Sequence, residues 1–138
     1  MMTYDTENIF AKILRGEIPS EKLYEDEDTY AFMDIMPRAE GHCLVIPKGP
    51  AINMLDATPQ QLAACIKTVH ILGHAVMRGL GAGGVKVEQY SEAVSGQEVF
   101  HLHYHVLPFY EGKRMENPGA MADFDHLKAQ ADKIRAAL

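Results

Sequence analysis

The sequence predicts an α+β fold: an antiparallel sheet of about five strands, one long helix, and short helices at the two ends. Three observations predict it. Two strand-like segments, Lys22 to Glu25 and Thr29 to Ile35, flank the acidic turn Asp26-Glu27-Asp28. A long helical pattern opens at Thr58-Pro59-Gln60-Gln61 and closes at Gly81-Ala82-Gly83-Gly84. Further strands lie on either side of it, the last of them a stretch in which His101, His103 and His105 alternate with Leu102, Tyr104 and Val106.

Taken in order, residues 1–5 are expected to fray. Thr6 is the expected N-cap of a short first helix, with Glu7 in its first turn. Ile9, Phe10, Ile13 and Leu14 then recur at helical spacing, and Gly16 stops the run. Packing into a core is the simplest role for these apolar residues, above all for Ile13 and Leu14. In the second strand Phe32 and Asp34 share a face, because strand side chains alternate. Asp34 either serves a site or caps the following loop. Pro37 to Gly41 reads as a turn, and His42 to Pro47 as a strand too apolar to be exposed on both faces.

The long helix has a Thr cap, Pro at its first position and Gln at the third, which is capping-box spacing. Leu62, Ile66, Val69, Gly73, Val76 and Leu80 follow at steps of three and four and are expected to mark its buried stripe. His70 and His74 stand one turn apart on this helix. They could ligate a metal as a pair, but the plainer reading is a polar edge or a subunit contact. Val85 to Ser91 reads as the next strand. Beyond Pro108, residues 109–119 look irregular. A last helix follows near Asp123, with Phe124, Leu127, Ala131, Ile134 and Leu138 as its stripe and Lys133 and Arg135 near its C-terminal end.

Composition bounds the function. The chain has 138 residues, enough to bury a core without staples, and reads as one domain. A net charge of -6 argues against nucleic-acid binding, which needs a basic patch, but leaves room for a small nucleotide. Cys43 and Cys65 form no Cys-x-x-Cys and are expected to be reduced, buried thiols. No apolar run approaches a membrane span, and the N-terminal residues do not resemble a secretory signal. The expectation is a cytoplasmic protein with no membrane partner.

The histidine stretch carries the chemistry. Alternation puts His101, His103 and His105 on one strand face and Leu102, Tyr104 and Val106 on the other. Such a pattern is compatible with solvated histidines on an open sheet, with a metal site, since His-x-His on a strand is a common ligand pair, or with an imidazole nucleophile. Spacing alone does not separate the last two.

The run Gly96-Gln97-Glu98-Val99-Phe100-His101-Leu102-His103-Tyr104-His105-Val106-Leu107-Pro108 resembles the signature of the histidine triad superfamily. Gly41-His42-Cys43-Leu44-Val45-Ile46-Pro47-Lys48, Asn8 to Pro19, and Ala31 to Ile35 resemble further segments of it, in order. The match spans residues 8–108 and is nearest the nucleotide-binding branch, leaving 109–138 as an extension.

The resemblance implies a histidine-triad fold and a two-fold homodimer with one continuous sheet. It implies His103 as a nucleophile that carries a nucleotidyl group. His101 and His105 would orient it and contact phosphate or leaving group, and His42 would lie behind them. Asp34 would hold the ribose hydroxyls, with Ile35 against the sugar and Phe32, Ile9 and Phe10 around the base. Gly96, Gln97, Glu98 and Val99 would supply the phosphate turn, chiefly through backbone N–H groups. The implied ligands are purine nucleotide conjugates of AMP or GMP type: phosphoramidates, adenylated amines or dinucleoside polyphosphates. No cofactor is implied. Some relatives bind structural zinc through Cys-x-x-Cys, but Asn8 and Ala11 occupy those positions.

Two further departures stand out. Tyr90 lies eleven residues before His101, where many relatives carry Asn or Gln, and Glu98 stands where Ser or Thr is common. An anionic side chain aimed at phosphate would repel it, so Glu98 is expected to face away. The leading expectation is therefore a nucleotidyl hydrolase or transferase. The alternatives are a nucleotide-binding regulatory protein with little turnover and a zinc or copper protein using the three histidines.

Overall fold

A computed structural model describes residues 2–113 and 120–138. The elements run α1 (Ile9–Leu14), β1 (Lys22–Glu25), β2 (Thr29–Met33), β3 (Cys43–Pro47), α2 (Pro59–Leu80), β4 (Gly84–Glu88), a 3-10 turn (Ala93–Ser95), β5 (Tyr104–Phe109) and α3 (Phe124–Ala136). The sheet has the order β1-β2-β3-β5-β4, and every pairing is antiparallel. The last pairing matters for the site, because it sets Glu88 directly opposite His105.

Alternation along these strands divides the molecule. Ala31, Met33, Cys43, Val45, Leu102, Tyr104 and Val106 face α2 and α3 and form the main core with Val69, Leu72, Val76, Leu127 and Ile134. Phe32, Leu44 and Ile46 face the other way, where they meet Phe10 of α1 in a smaller cluster. The second face is the one that carries the histidines.

The long helix starts as its sequence dictates. The Thr58 side chain accepts from the Gln61 N–H, and the Gln61 side chain accepts from the Thr58 N–H, a closed capping box. Gly81 ends the helix in a left-handed conformation. Its buried residues are Cys65, Thr68, Val69, Leu72, Ala75 and Val76. The expected stripe was thus rotated: Ile66 is 48% exposed, and Gly73 lies outside the buried set. Apolar spacing alone could not separate a core stripe from a second apolar face beside it. Helix α3 packs close to α2 at Gly79, where an added Cβ would sit 2.6 Å from the Lys133 carbonyl oxygen. Of its expected stripe, Leu127, Ala131 and Ile134 are buried, whereas Phe124 and Leu138 are exposed.

Other expectations shift locally. Asn8, not Thr6, caps α1, because its side chain accepts from the Ala11 N–H. Residues 2–5 do not all fray, since Tyr4 is tied into the interior. Strand β2 stops at Met33, β3 begins at Cys43 and β4 stops at Glu88, each short of the expected limits. The region 109–119 lies only partly within the described residues. Cys43 and Cys65 are free and buried, and burial pushes both thiols up to about 12.

Candidate functional site

The histidine stretch keeps its alternation but not its ladder. Strand β5 begins at Tyr104, which pairs with Val45, and only His105 of the three triad residues lies within it. Upstream, the Leu102 N–H donates to the Ala51 carbonyl instead of a strand neighbour. The stretch is not a solvated sheet face, because His101 is fully buried and His103 is 7% exposed.

Three of the four imidazoles have their proton placed by a backbone group that can play only one role, and the fourth follows from them. The Pro47 carbonyl can only accept, so His101 carries hydrogen on Nε2 and donates at 2.8 Å. Its Nδ1 then accepts from the Tyr4 hydroxyl at 2.6 Å. Both ring nitrogens of His101 are engaged, which leaves neither for a phosphate in this arrangement. The backbone carbonyl of His101 accepts from Nδ1–H of His103 at 2.7 Å. The proton of His103 therefore sits on Nδ1, and Nε2 keeps its lone pair.

A second pair is fixed in the same way. The Arg38 N–H donates to Nδ1 of His42 at 3.1 Å, so His42 is protonated on Nε2. That N–H points at Nδ1 of His105, 3.0 Å away, and lies 3.4 Å from Oδ2 of Asp34. His105, accepting on Nδ1, carries its hydrogen on Nε2. Burial lowers all four histidines: His42 to about 3, His101 and His105 to about 4, and His103 below its ordinary value. Neighbouring His105 and Arg38 add to the effect on His42, and His103 and Arg38 to that on His105. The four rings are neutral near pH 7.

The donor atoms of Asp34, His42 and His105 lie within 4.8 Å of one another, a group a metal ion could bridge. The tautomers oppose it. Nδ1 of His42 already accepts a backbone N–H, so a metal on Nε2 would have to displace the only proton of the ring. The group is built to pass a hydrogen bond along. His101, with both nitrogens occupied, is likewise unsuited to complete a three-histidine metal site.

Around the imidazoles lie the other residues singled out from the sequence. The Phe10 ring meets His103 edge-on at 5.0 Å and Phe32 at 5.4 Å. Val99 packs against that cluster, whereas Ile9 and Ile35 are 42% and 39% exposed. Asp34 accepts from the Met36 N–H on Oδ1, and burial raises its carboxyl. Gln97 is buried and spends its amide on the protein, accepting from Asn53 and the Glu92 N–H and donating to the Ile52 and Val99 carbonyls. It rivets the turn. Gly96 sits at φ 112°, a conformation glycine adopts readily. Glu92, also at positive φ (79°), is an unusual non-glycine in the same turn, a placement typical of functional loops. Glu98 is exposed, and the Tyr90 ring lies 5.5 Å from His105.

Four residues escaped the sequence reading: Tyr4, Asn53, Arg38 and Glu88. Arg38 binds Glu88 at 2.8 Å, and the Tyr90 hydroxyl donates to the same carboxylate oxygen. Only the Asn-x-x-Asp turn signal at Asn53 and Asp56 was legible; Asp56 accepts from the N–H groups of Ile52 and Asn53.

A neutral buried imidazole with one nitrogen held by a carbonyl and the other bare is the arrangement of a nitrogen nucleophile. The fold and site define an α+β protein with one sheet face lined by four histidines, from β5 and the segment leading into it and from the residue just before β3. Residues 15–112 match the HIT domain model, and the chain belongs to the HIT domain family. It is 42% identical over 104 residues to an uncharacterised HIT-like protein of Methanocaldococcus jannaschii, covering 75% of this chain and 80% of that one. It is 35% identical over 132 residues to the adenosine 5'-monophosphoramidase of Saccharomyces cerevisiae, covering 96% of this chain and 78% of the yeast protein. A crystal structure of a Hit-like protein from Bartonella henselae gives a TM-score of 0.92 at 48% identity, covering 99% of this chain and 100% of that one.

Proposed function

We propose that this chain is a nucleotidyl hydrolase or transferase acting on the α-phosphate of purine nucleotide conjugates, with phosphoramidates of AMP type as its first substrate class. One observation carries the reading: Nδ1–H of His103 is held by the His101 carbonyl, so Nε2 presents a lone pair without needing a base. The yeast relative named a phosphoramidase supports the substrate class.

In this reading Nε2 of His103 attacks the α-phosphorus. A P–N bond to the histidine forms as the bond to the leaving group breaks, and its electron pair departs with that group. The ring becomes cationic, and the Nδ1–H···O=C bond to His101 strengthens as it does. Nε2–H of His105, held by the relay from His42, donates to a phosphoryl oxygen or to the leaving atom. Water then attacks the nucleotidyl-histidine, releases the nucleotide and restores the imidazole. Backbone of Gly96, Gln97, Glu98 and Val99 lies on the phosphate. Asp34 accepts the ribose hydroxyls, and Ile9, Ile35, Phe10 and Phe32 enclose sugar and base. The two exposed isoleucines suit a ligand that covers them.

Two features support a homodimer. Helix α2 exposes Ile66 and Met77 beside His70 and His74, and β4, at the sheet edge, leaves Val87 45% exposed. A second copy would cover both. Light scattering should give twice the subunit mass; a single-subunit mass at micromolar concentration contradicts the dimer.

The activity test is turnover of a fluorogenic AMP amide. Wild type should release product, and His103→Ala should lose about four orders of magnitude in kcat, as removal of a covalent nucleophile does. Equal turnover in both would sink the mechanism. Tight AMP binding with no turnover would favour the regulatory protein.

A further inference from the structure

The cluster of Arg38, Glu88 and Tyr90 lies beside the imidazoles without belonging to the nucleophile, the ribose contact or the phosphate turn. It joins two stretches of chain that are 50 residues apart. Arg38 comes from the turn after β2, Glu88 from the end of β4, and Tyr90 from the loop that follows. Arg38 and Glu88 are both largely enclosed, with side chains 18% and 20% exposed, and form an ion pair at 2.8 Å. The Tyr90 hydroxyl donates to the Glu88 oxygen that Arg38 also binds. Burial and the neighbouring carboxylate raise the Tyr90 phenol, so it remains a donor.

Both ends of this cluster grip the same pair of histidines. At one end, the Arg38 backbone N–H fixes the tautomer of His42, which holds His105. At the other, the Tyr90 ring lies on His105 with centroids 5.5 Å apart and planes tilted by 44°. Glu88 stands in register with His105 across the β4–β5 ladder, on the same face of the sheet.

We propose that Arg38, Glu88 and Tyr90 form a clamp that positions the His42–His105 relay, with Arg38 as the residue that ties its two ends together. The proposal rests on the reading of His105 as the hydrogen-bond donor in nucleotidyl transfer. The three are positioning residues and do not touch the reacting atoms. A tilted aromatic ring packed on His105 restricts the direction of its Nε2–H, and a donor misaimed by a few tens of degrees loses most of its hydrogen bond.

The clamp also sets the local charge. The groups facing His105 are His42 and Asp34, Arg38, Glu88 of β4, Tyr90, and His103 of its own stretch. Burial and His103 hold His105 neutral first; Arg38 then lowers it further, and Glu88 acts in the opposite direction. Removing the cation and removing the anion should therefore move His105 in opposite senses, although both break the clamp.

The test uses the full chain in four variants: Arg38→Met, Arg38→Lys, Glu88→Gln and Tyr90→Phe. Side-chain NMR of the histidines, followed as pH is lowered, reads the His105 midpoint, and the AMP amide reads kcat and KM. Relative to wild type, Arg38→Met should raise the midpoint and Glu88→Gln should lower it, each by roughly half a pH unit or more. Arg38→Met should lower kcat about 10-fold and Tyr90→Phe about 3-fold, with KM within about twofold, because the lost contact acts on the reacting step. Arg38→Lys should recover most of that loss. The proposal is overturned if the variants change only thermal stability, or if the two midpoints move in the same direction. Wild type without turnover would refute the enzymatic reading, and the NMR shifts would then decide the clamp alone.

Discussion

The two faces of the sheet are buried equally well by opposite means. On the helix face, Val45 and Val106 are enclosed by hydrocarbon and need only shape. On the other face, His42 and His101 are as deeply enclosed, but each nitrogen must find a partner. They all do: among the described residues, no side-chain nitrogen or oxygen that is itself shut off from solvent lacks a hydrogen bond. An apolar core tolerates many sequences of the right volume. A polar one is specified atom by atom, and the specification also decides where each proton sits. The surface pair His70 and His74 makes the same point in reverse. Their ring centroids lie 4.7 Å apart, but both are exposed, and among the described residues no enclosed partner orders them.

Substitutions on the two faces should separate stability from chemistry. Leu72→Ala, in the middle of the α2 core, should cost about 2–5 kcal/mol of stability and leave kcat per folded molecule unchanged. His42→Ala should lower kcat by about 100-fold, near 3 kcal/mol of transition-state stabilisation, because His105 loses the donor that fixes its tautomer. Urea unfolding and single-turnover kinetics on both proteins check the contrast. Equal loss of kcat from Leu72→Ala would blur the division between the faces.

Acid sharpens it further. His42, His101 and His105 titrate near 3 to 4 in the folded chain and near 6.5 when unfolded. Between those values the unfolded chain binds more protons, so stability falls as pH is lowered through that window. Each imidazole that stays neutral in the fold contributes a slope of about 1.4 kcal/mol per pH unit. The urea midpoint should drop steeply from pH 6.5 towards pH 4. A flat midpoint over that range would mean the histidines are not held neutral. Tyr90, Glu88 and Arg38 are absent from His101's surroundings, so its stability contribution should survive their substitution.

The smallest effect belongs to the N-terminal segment. Tyr4→Phe removes one hydrogen bond to His101 and should cost about 1 kcal/mol, since the buried Nδ1 is left without a donor. The turnover of the AMP amide should change little, because the carbonyl that holds His103 is untouched. A loss of kcat comparable to that of His42→Ala would show that His101 does more than hold position.

Much of this was legible in the residues. The alternation of His101, His103 and His105, the capping box at Thr58, and the paired strands around Asp26-Glu27-Asp28 are local patterns, and the fold keeps them. What local patterns could not supply were contacts across long stretches of chain. Tyr4 meets His101 from 97 residues away, Arg38 meets Glu88 across 50, and Asn53 meets Gln97 across 44. The same limit explains the ladder. Nothing within the stretch itself says that Leu102 will bond to Ala51 and delay β5 until Tyr104. Ile66 departs from the expected stripe for a related reason, since apolar spacing does not reveal which of two faces meets the sheet.

The most direct test of the account is the intact mass of the protein quenched during turnover of an adenosine 5'-phosphoramidate. Wild type should gain the mass of one adenylyl group, and peptide mapping should find it on Nε2 of His103, with none on His103→Ala. An adduct on another residue, or turnover by wild type at full rate with His103 unmodified and dispensable, would contradict it.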